Sequence, residues 1–277
     1  MDVNMGNVLG LVFANMHDTT LGDMTKNRTM GSVMFGGRYR LIDFPLSNMV
    51  NSGISEVGVI TKSNYQSLLD HLDPASVKSA FNVAEWRQNV KSALFSGQIP
   101  LSCRGRIEAL YGAMSFIKHS RAKYVILSDC DVVTNIDYKP IVAAHIESGA
   151  DITAVAHTGV YSSDDIKTST VFNVDADKNV TSVLINPDIS GTCTTSLNVF
   201  VMSMDFLIET VNDAMARGNV SFERNILQEK CRELKIKIYE YDNYFSKLNS
   251  PESYFKSNMA LLEPENARKL FVPKRSI

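Results

Sequence analysis

The sequence has few cysteines, no long apolar run and no excess of charge, and each of these absences excludes a class of protein. Its 277 residues include four cysteines, which lie far apart and never form a CxxC pair. Neither a zinc site nor a disulfide framework is therefore expected. No apolar run reaches the ~18 residues that cross a membrane, and the N-terminal residues have no signal-peptide pattern. We expect a cytoplasmic protein with no membrane partner.

The charge balance excludes a second class of partner. The 28 basic residues nearly match the 30 acidic ones, which gives a formal net charge of -2 and a pI near 6.2. A chain with this balance has no general attraction to a polyanion, so we expect no nucleic-acid partner. Hydrophobic residues make up 44% of the chain, which is enough for a sizeable core.

Glycine and cations are missing from the loop where a nucleotide site would need them. Residues Val8 to Ala14 are continuously apolar, as in a strand that is covered on both faces of a parallel sheet. The loop after such a strand lies at the edge where open α/β sheets bind ligands. A phosphate-binding loop needs glycines and usually a cation. Residues Asn15 to Leu21 contain no glycine, arginine or lysine. The loop therefore lies where a nucleotide site is expected but lacks the residues that bind phosphate.

The apolar pattern along the rest of the chain alternates between helix and strand periods. Helices are predicted at residues 44–51, 65–72, 105–119, 138–148, 205–216 and 253–262. Strands are predicted at residues 57–61, 124–128, 152–156, 171–174, 180–184, 197–202 and 235–239. Residues 73–103 are expected to be mostly loop, with one element around Trp86. The sum predicts a single α/β domain with a mixed, mostly parallel sheet and helices on both faces.

Several segments of the sequence closely resemble one known family, the bacterial ADP-glucose pyrophosphorylases, or glucose-1-phosphate adenylyltransferases. The longest is FGGRYRLIDFPLSN, and it is supported by shorter stretches spread over the whole chain. The resembling segments are residues 35–48, 51–54, 58–61, 104–109 and 251–259.

The resemblance implies a Rossmann-like, GT-A-like nucleotidyltransferase domain over residues 1–277. The family's second domain, a left-handed β-helix, is expected to be absent from this chain. Active members join glucose 1-phosphate to the α-phosphate of ATP and release pyrophosphate. In such a transfer the protein positions the reactants and neutralises phosphate charge with Mg²⁺ and cationic side chains.

The resemblance also implies that the catalytic positions are degenerate. Thr20 stands where the family has the arginine of its phosphate loop, and Met30 stands where it has a lysine. Cys130 and Lys247 stand where the family has its two metal-binding aspartates, and a lysine at such a position would repel Mg²⁺. We therefore expect none of these four residues to be catalytic.

Other residues keep chemistry that suits a ligand. Arg28, Arg38 and Arg40 are candidates for binding a phosphorylated effector, although surface ion pairs would explain these residues equally well. The glutamate is a candidate for a ribose or base contact, although a helix N-terminus favours glutamate in any case. The asparagine and the serine stand where the family contacts the sugar phosphate and glucose. These candidates are Arg28, Arg38, Arg40, Glu108, Asn186 and Ser196.

Metal binding is not expected in this chain. Asp129 and Asp131 flank Cys130 and are the only weak candidates, because neighbouring side chains of an extended segment point to opposite sides. His17 lies in the former phosphate loop, and a lone histidine without an orienting partner is more often structural than catalytic. We expect no bound cofactor here and Mg²⁺ only in a catalytic partner.

This pattern of losses resembles the second, GlgD-type subunit of the family. It implies a regulatory subunit that modulates a catalytic ADP-glucose pyrophosphorylase subunit within a heterotetramer, with a sugar phosphate or nucleotide as its own ligand. One alternative is an active nucleotidyltransferase in which Asp129 or Asp131 holds a shifted metal. A second alternative is an assembly scaffold that binds no ligand.

Overall fold

The computed structural model describes residues 3–72, 91–95 and 103–271, with the backbone path alone for residues 91–95. These residues pack into two compact units. Unit A comprises residues 4–72, 91–95, 128–138 and 243–271, and unit B comprises residues 3, 103–127 and 139–242. That residues 1–277 act as one domain stays a prediction. The element expected around Trp86 lies outside the described residues.

The described strands and helices alternate along the chain. The strands are β1 Val8–Phe13, β2 Met34–Phe35, β3 Tyr39–Arg40, β4 Glu56–Ile60, β5 Lys91–Phe95, β6 Tyr124–Asp129, β7 Val132–Thr134, β8 Ile152–Tyr161, β9 Thr170–Val174, β10 Val180–Ile185, β11 Gly191–Ser203, β12 Ile236–Glu240 and β13 Phe245–Lys247. The helices are α1 Asp43–Asn51, α2 Gln66–Leu72, α3 Arg106–Gly112, α4 Met114–His119, α5 Tyr138–Ser148, α6 Ser163–Ile166, α7 Met204–Ala216, α8 Pro251–Ala260 and α9 Pro264–Leu270. Among the described helices, none is long and apolar enough to span a membrane.

Unit A is built on the buried strand β1. All six of its residues are buried, as the continuous apolar pattern predicted. β1 runs parallel to β4, with Leu11 opposite Gly58, and β4 runs parallel to β5. Gly10 lets helix α1 pack directly on the strand, because a Cβ atom there would lie 2.4 Å from the sulfur of Met49. This close approach fixes the strand under the helix and so fixes where the loop after β1 begins.

Unit B is built on the long strand β11. It pairs antiparallel with β8 and β9, while β8 pairs in parallel with β12. The register shifts between Ser196 and Val199, and Asn198 has a φ of +55°, so β11 carries a bulge here. The buried Arg106 of α3 contacts the Glu223 carboxylate at 3.0 Å, which satisfies its charge inside the unit. The predicted α/β class with a mixed, mostly parallel sheet is confirmed.

Several predicted boundaries are wrong for local reasons. The single helix predicted over residues 105–119 is two helices, because Ala113 leaves the helical conformation with a ψ of 4°. Residues 91–95 form a strand where loop was expected, and helix α9 was not predicted. Strands β8 and β11 extend well past their apolar stretches because their polar ends pair with each other, as Thr195 and His157 do.

The start of α3 gives a stability prediction. A Cβ atom at Gly105 would lie 2.2 Å from the backbone carbonyl oxygen of Val220, and backbone cannot rotate away as a side chain can. We expect Gly105→Ala to lower the free energy of unfolding by ~2 kcal/mol, as other overpacked sites do. Urea unfolding followed by circular dichroism measures the change.

Gly6→Ala is the matched control, because its Cβ atom would meet only the flexible side chain of Asn4, at 3.1 Å. We expect this exposed change to alter stability by less than ~0.5 kcal/mol. Equal stability of the two variants would contradict the close approach at Gly105.

Candidate functional site

The loop after β1 is closed by hydrogen bonds within unit A. The Ala14 N–H donates to the Ile60 carbonyl at 2.9 Å, and the Ala14 carbonyl accepts from the Gly31 N–H at 2.8 Å. The Asp18 carboxylate accepts from the Met30 N–H at 2.7 Å. The chain therefore leaves β1, makes a 3₁₀ segment that begins at Asp18, and is drawn back to the turn around Met30.

Thr20 and Met30 are both occupied by local structure. The hydroxyl and the backbone N–H of Thr20 both donate to the His17 carbonyl, at 2.7 and 3.0 Å. Met30 has 1% of its surface exposed and lies in the core. Neither side chain offers a charge to a ligand.

His17 and two buried aspartates form a cluster, which we call the His17 cluster. The His17 Nε2 atom lies 2.7 Å from the Asp129 carboxylate and 3.7 Å from that of Asp131. Both carboxylates are buried, and both lie at the end of strand β6 or directly after it. Because they are two residues apart, they point to the same side of the chain, while Cys130 points away between them.

Charges of both signs lie around this cluster. Burial raises the pKa of Asp18 from 3.8 to about 6, and the hydrogen bond from Met30 and the charge of Lys62 oppose this rise. Burial lowers the pKa of Lys247, while the charges of Asp131 and Asp129 raise it. Lys247 is placed by β13, where it lies opposite Val132 of β7. A lysine charge thus lies close to the two aspartates.

Burial also raises the pKa of the Cys130 thiol, and the charges of Asp129 and Asp131 add to the effect. This cysteine is therefore a neutral, buried side chain at pH 7 rather than a metal-binding thiolate. None of the four cysteines forms a disulfide bond within the described residues.

One metal-ligand set is present among the described residues. The ligand atoms of His17, Asp129 and Asp131 all lie within 4.8 Å of one another, so together they could hold a cation. One imidazole with two carboxylates suits Mn²⁺, Fe²⁺ or Zn²⁺, whereas Mg²⁺ prefers oxygen ligands alone. The imidazole and the nearby Lys247 therefore do not fit the Mg²⁺ of the resembled family.

The three arginine candidates lie in unit A in different environments. Arg28 and Arg38 are exposed, and the Arg38 guanidinium lies 5.9 Å from the centre of the Tyr39 ring. Arg40 is half-buried, and its guanidinium donates to the Ser67 hydroxyl at 3.0 Å. Burial lowers the pKa of Arg40, and the nearby charge of Arg28 lowers it further. Arg28 and Arg40 therefore lie close enough for their charges to interact.

The other candidates lie in unit B and are engaged there. Glu108 accepts hydrogen bonds from the Arg104 backbone N–H at 2.5 Å and from the Arg104 guanidinium at 2.9 and 3.2 Å, and these bonds lower its pKa. Asn186 is exposed with a φ of +52°. The Ser196 hydroxyl is buried in the bulge of β11 and accepts from the Asn198 N–H at 3.0 Å.

Sequence reasoning missed His17 and Asp18 as site residues. His17 is not a lone histidine, because Asp129, 112 residues further along the chain, orients its ring. Nothing in the sequence indicated that Asp18 is a site residue beyond its position in the loop. The presence of four polar side chains in a loop directly after a buried strand, Asn15, His17, Asp18 and Thr20, was the one available indication.

Asp18 gives a pH-dependent prediction. Because folding raises the pKa of Asp18, its protonated form stabilises the folded state. This contribution is fully present below pH 3.8 and is lost as the pH rises through about 6. Asp18→Asn keeps an oxygen for the Met30 N–H and removes the ionisable group. We expect the variant to unfold with a larger free energy than the wild type at pH 7, and this advantage to shrink as the pH falls.

Urea unfolding at a series of pH values measures this difference. Asp23→Asn is the matched control, since Asp23 is exposed in the same 3₁₀ segment. The control should follow the wild type at every pH. An Asp18→Asn variant that also follows the wild type would contradict the raised pKa.

Comparisons with known proteins agree with this architecture. The chain is 26% identical to the glycogen biosynthesis protein GlgD of Bacillus subtilis, over 98% of this chain and 68% of that protein. It is 29% identical to the glucose-1-phosphate adenylyltransferase of Thiobacillus denitrificans, over 95% and 63% of the two chains. It is 30% identical to that of a Shewanella species, strain ANA-3, over 95% and 66%. The chain thus spans about two thirds of the length of these relatives.

A sequence model of one family matches nearly the whole chain. The family is described as nucleotidyl transferase, and the match runs over residues 12–261. These residues include β1, the loop after it and the His17 cluster. The chain therefore belongs to the nucleotidyl transferase family.

Proposed function

We propose that this chain is a regulatory, catalytically degenerate subunit of glucose-1-phosphate adenylyltransferase in glycogen biosynthesis. It acts in the cytoplasm beside a catalytic subunit that makes ADP-glucose from ATP and glucose 1-phosphate. The observation that carries the proposal is the loop after β1, where Asp18 and the His17 cluster lie and where residues 15–21 contain no arginine, lysine or glycine.

Charge is the physical reason why this loop disfavours a triphosphate. Two like charges 4 Å apart repel each other by about 1 kcal/mol in bulk water and about 4 kcal/mol near a protein surface. A bound triphosphate would face the carboxylates of Asp18, Asp129 and Asp131. Glycine-rich loops avoid this cost because they present backbone N–H groups to the phosphates. Here the Met30 N–H is already bonded to Asp18.

The basic side chains of the site are also engaged within the protein. His17 contacts Asp129, and the charges of Lys62 and Lys247 act on the carboxylates of Asp18 and of Asp129 and Asp131 respectively. Transfer of a nucleotidyl group requires cations that face the phosphates in the transition state. The relatives named glucose-1-phosphate adenylyltransferase and glycogen biosynthesis protein GlgD support a place for this chain in glycogen synthesis.

The metal-ligand set favours a second candidate function. In this alternative the chain is an active nucleotidyltransferase whose metal is held by His17, Asp129 and Asp131. The same three residues would then be needed for activity, whereas a regulatory subunit tolerates their loss.

Reconstitution with the catalytic subunit tests the proposal. We expect the purified chain alone to form no ADP-glucose from ATP and glucose 1-phosphate with Mg²⁺ or Mn²⁺. Added to the catalytic subunit, it should co-elute with it in size-exclusion chromatography and change its kcat or KM. The double variant Asp129→Asn/Asp131→Asn should change the partner's kinetics as the wild type does.

Three results would contradict this assignment in different ways. Turnover by the chain alone near ~10 per second, lost in the double variant, would establish the active transferase with a shifted metal. Co-elution without any change in the partner's kinetics would establish an assembly scaffold. Failure to co-elute would remove the subunit role.

A further inference from the structure

Unit B contains an open groove beside the first turn of α7. It has a volume of about 510 Å³ and lies between the end of α4, the start of β6 and the start of α7. Its lining includes Ile117, Lys118, Arg121, Lys123, Tyr124 and Ile208. The groove contains none of the residues of the His17 cluster and none of the ligand candidates from the sequence. We propose that it binds a small organic phosphate, a ligand with a phosphoryl group beside an apolar portion.

Three cations line the groove without an acidic partner. Lys118, Arg121 and Lys123 are exposed, and none of them forms an ion pair with a carboxylate in the part of the chain that the structure describes. Some other exposed cations of unit B are paired with a carboxylate. Lys167 contacts Asp164 at 2.7 Å, and Arg217 contacts Asp213 at 2.8 Å. The positive charge in the groove is therefore available to an anion.

The groove keeps a positive balance despite the negative net charge of the chain. Asp205 is its single acidic lining residue, against three cations. Asp205 lies in the first turn of α7, a helix of 13 residues whose N-terminal end carries the positive pole of its dipole. An anion in the groove would relieve the mutual repulsion of the three cations.

The backbone around the groove is held by hydrogen bonds. The Met204 N–H at the start of α7 donates to the Lys123 carbonyl at 2.9 Å. The Ala122 N–H donates to the Ser120 hydroxyl at 3.2 Å, and the Ser120 N–H donates to the Phe116 carbonyl at the same distance. Residues 120–123 are therefore held in place by backbone hydrogen bonds, and little backbone order has to be gained when a ligand binds.

The floor of the groove is apolar, which selects an organic ligand. Ile117 and Met204 are buried, Ile208 is half-buried, and the half-buried ring of Tyr124 adds an aromatic surface. Sites for small molecules typically combine such apolar surface with a few polar groups, in cavities of roughly 300–1,000 Å³. The volume and the mixed lining fit a phosphate ester better than an inorganic ion.

Phenyl phosphate is a suitable probe because it joins a phosphoryl group to a ring. We expect saturable binding to the full chain in a titration followed by ³¹P NMR at low ionic strength, and tighter binding than for inorganic phosphate. The variant Lys118→Gln/Arg121→Gln/Lys123→Gln should weaken binding by about tenfold or more, because the phosphoryl group loses all three cations of the groove. The three side chains are exposed, so circular dichroism should show an unchanged fold.

A matched control removes three exposed cations elsewhere. Lys26→Gln/Arg224→Gln/Arg232→Gln changes the net charge equally and touches no residue that lines the groove. This control should bind phenyl phosphate as the wild type does. The proposal is overturned if the wild type shows no saturable binding, if the groove variant binds as tightly as the control, or if inorganic phosphate binds as tightly as phenyl phosphate. None of these outcomes depends on a regulatory role for the chain.

Discussion

The hydrogen bond from the Met30 N–H to the Asp18 carboxylate is the contact on which the rest of the site depends, because it closes the loop after β1. Next to it the Gly31 N–H donates to the Ala14 carbonyl, at the end of the buried strand. A Cβ atom at Gly31 would lie 3.3 Å from the Ala14 side chain and 3.4 Å from the Cys130 sulfur. The end of β1, the loop after it, the turn around Met30 and the end of β6 therefore pack closely against one another. The Met30 side chain lies in the core.

Closing the loop in this way leaves negative charge in a buried place, and the protein compensates it from within. Asp18 is acidic enough to be mostly ionised at pH 7 even with its pKa raised to about 6. His17 contacts Asp129, and Lys247 lies within electrostatic reach of both aspartates of the cluster. In an active nucleotidyl transferase the cations must face the substrate phosphates. Here the basic side chains face the protein's own carboxylates. This is the physical reason to propose that the site is catalytically degenerate.

Unit B shows the opposite arrangement. Its buried charge is compensated, since Arg106 contacts Glu223, but its groove beside α7 keeps three cations that form no ion pair within the described residues. Charges that a protein leaves uncompensated beside apolar surface cost it little when they remain in water. These charges are available to bind an anion. For this reason we infer a phosphate ligand for the groove rather than for the loop after β1.

The sequence alone determined the α/β class, the position of β1 and the chemistry that its loop lacks. These features depend on local patterns, because an apolar run, a helical period or a missing glycine is visible within a few residues. Helix α1 was predictable for the same reason, from Pro45 at its start and Gly53 after its end. The tertiary structure decided which distant side chains meet. His17 and Asp129 are 112 residues apart, and the groove joins the segment of residues 117–124 to that of residues 203–208. Such meetings follow from strand order and helix packing, which no local pattern encodes.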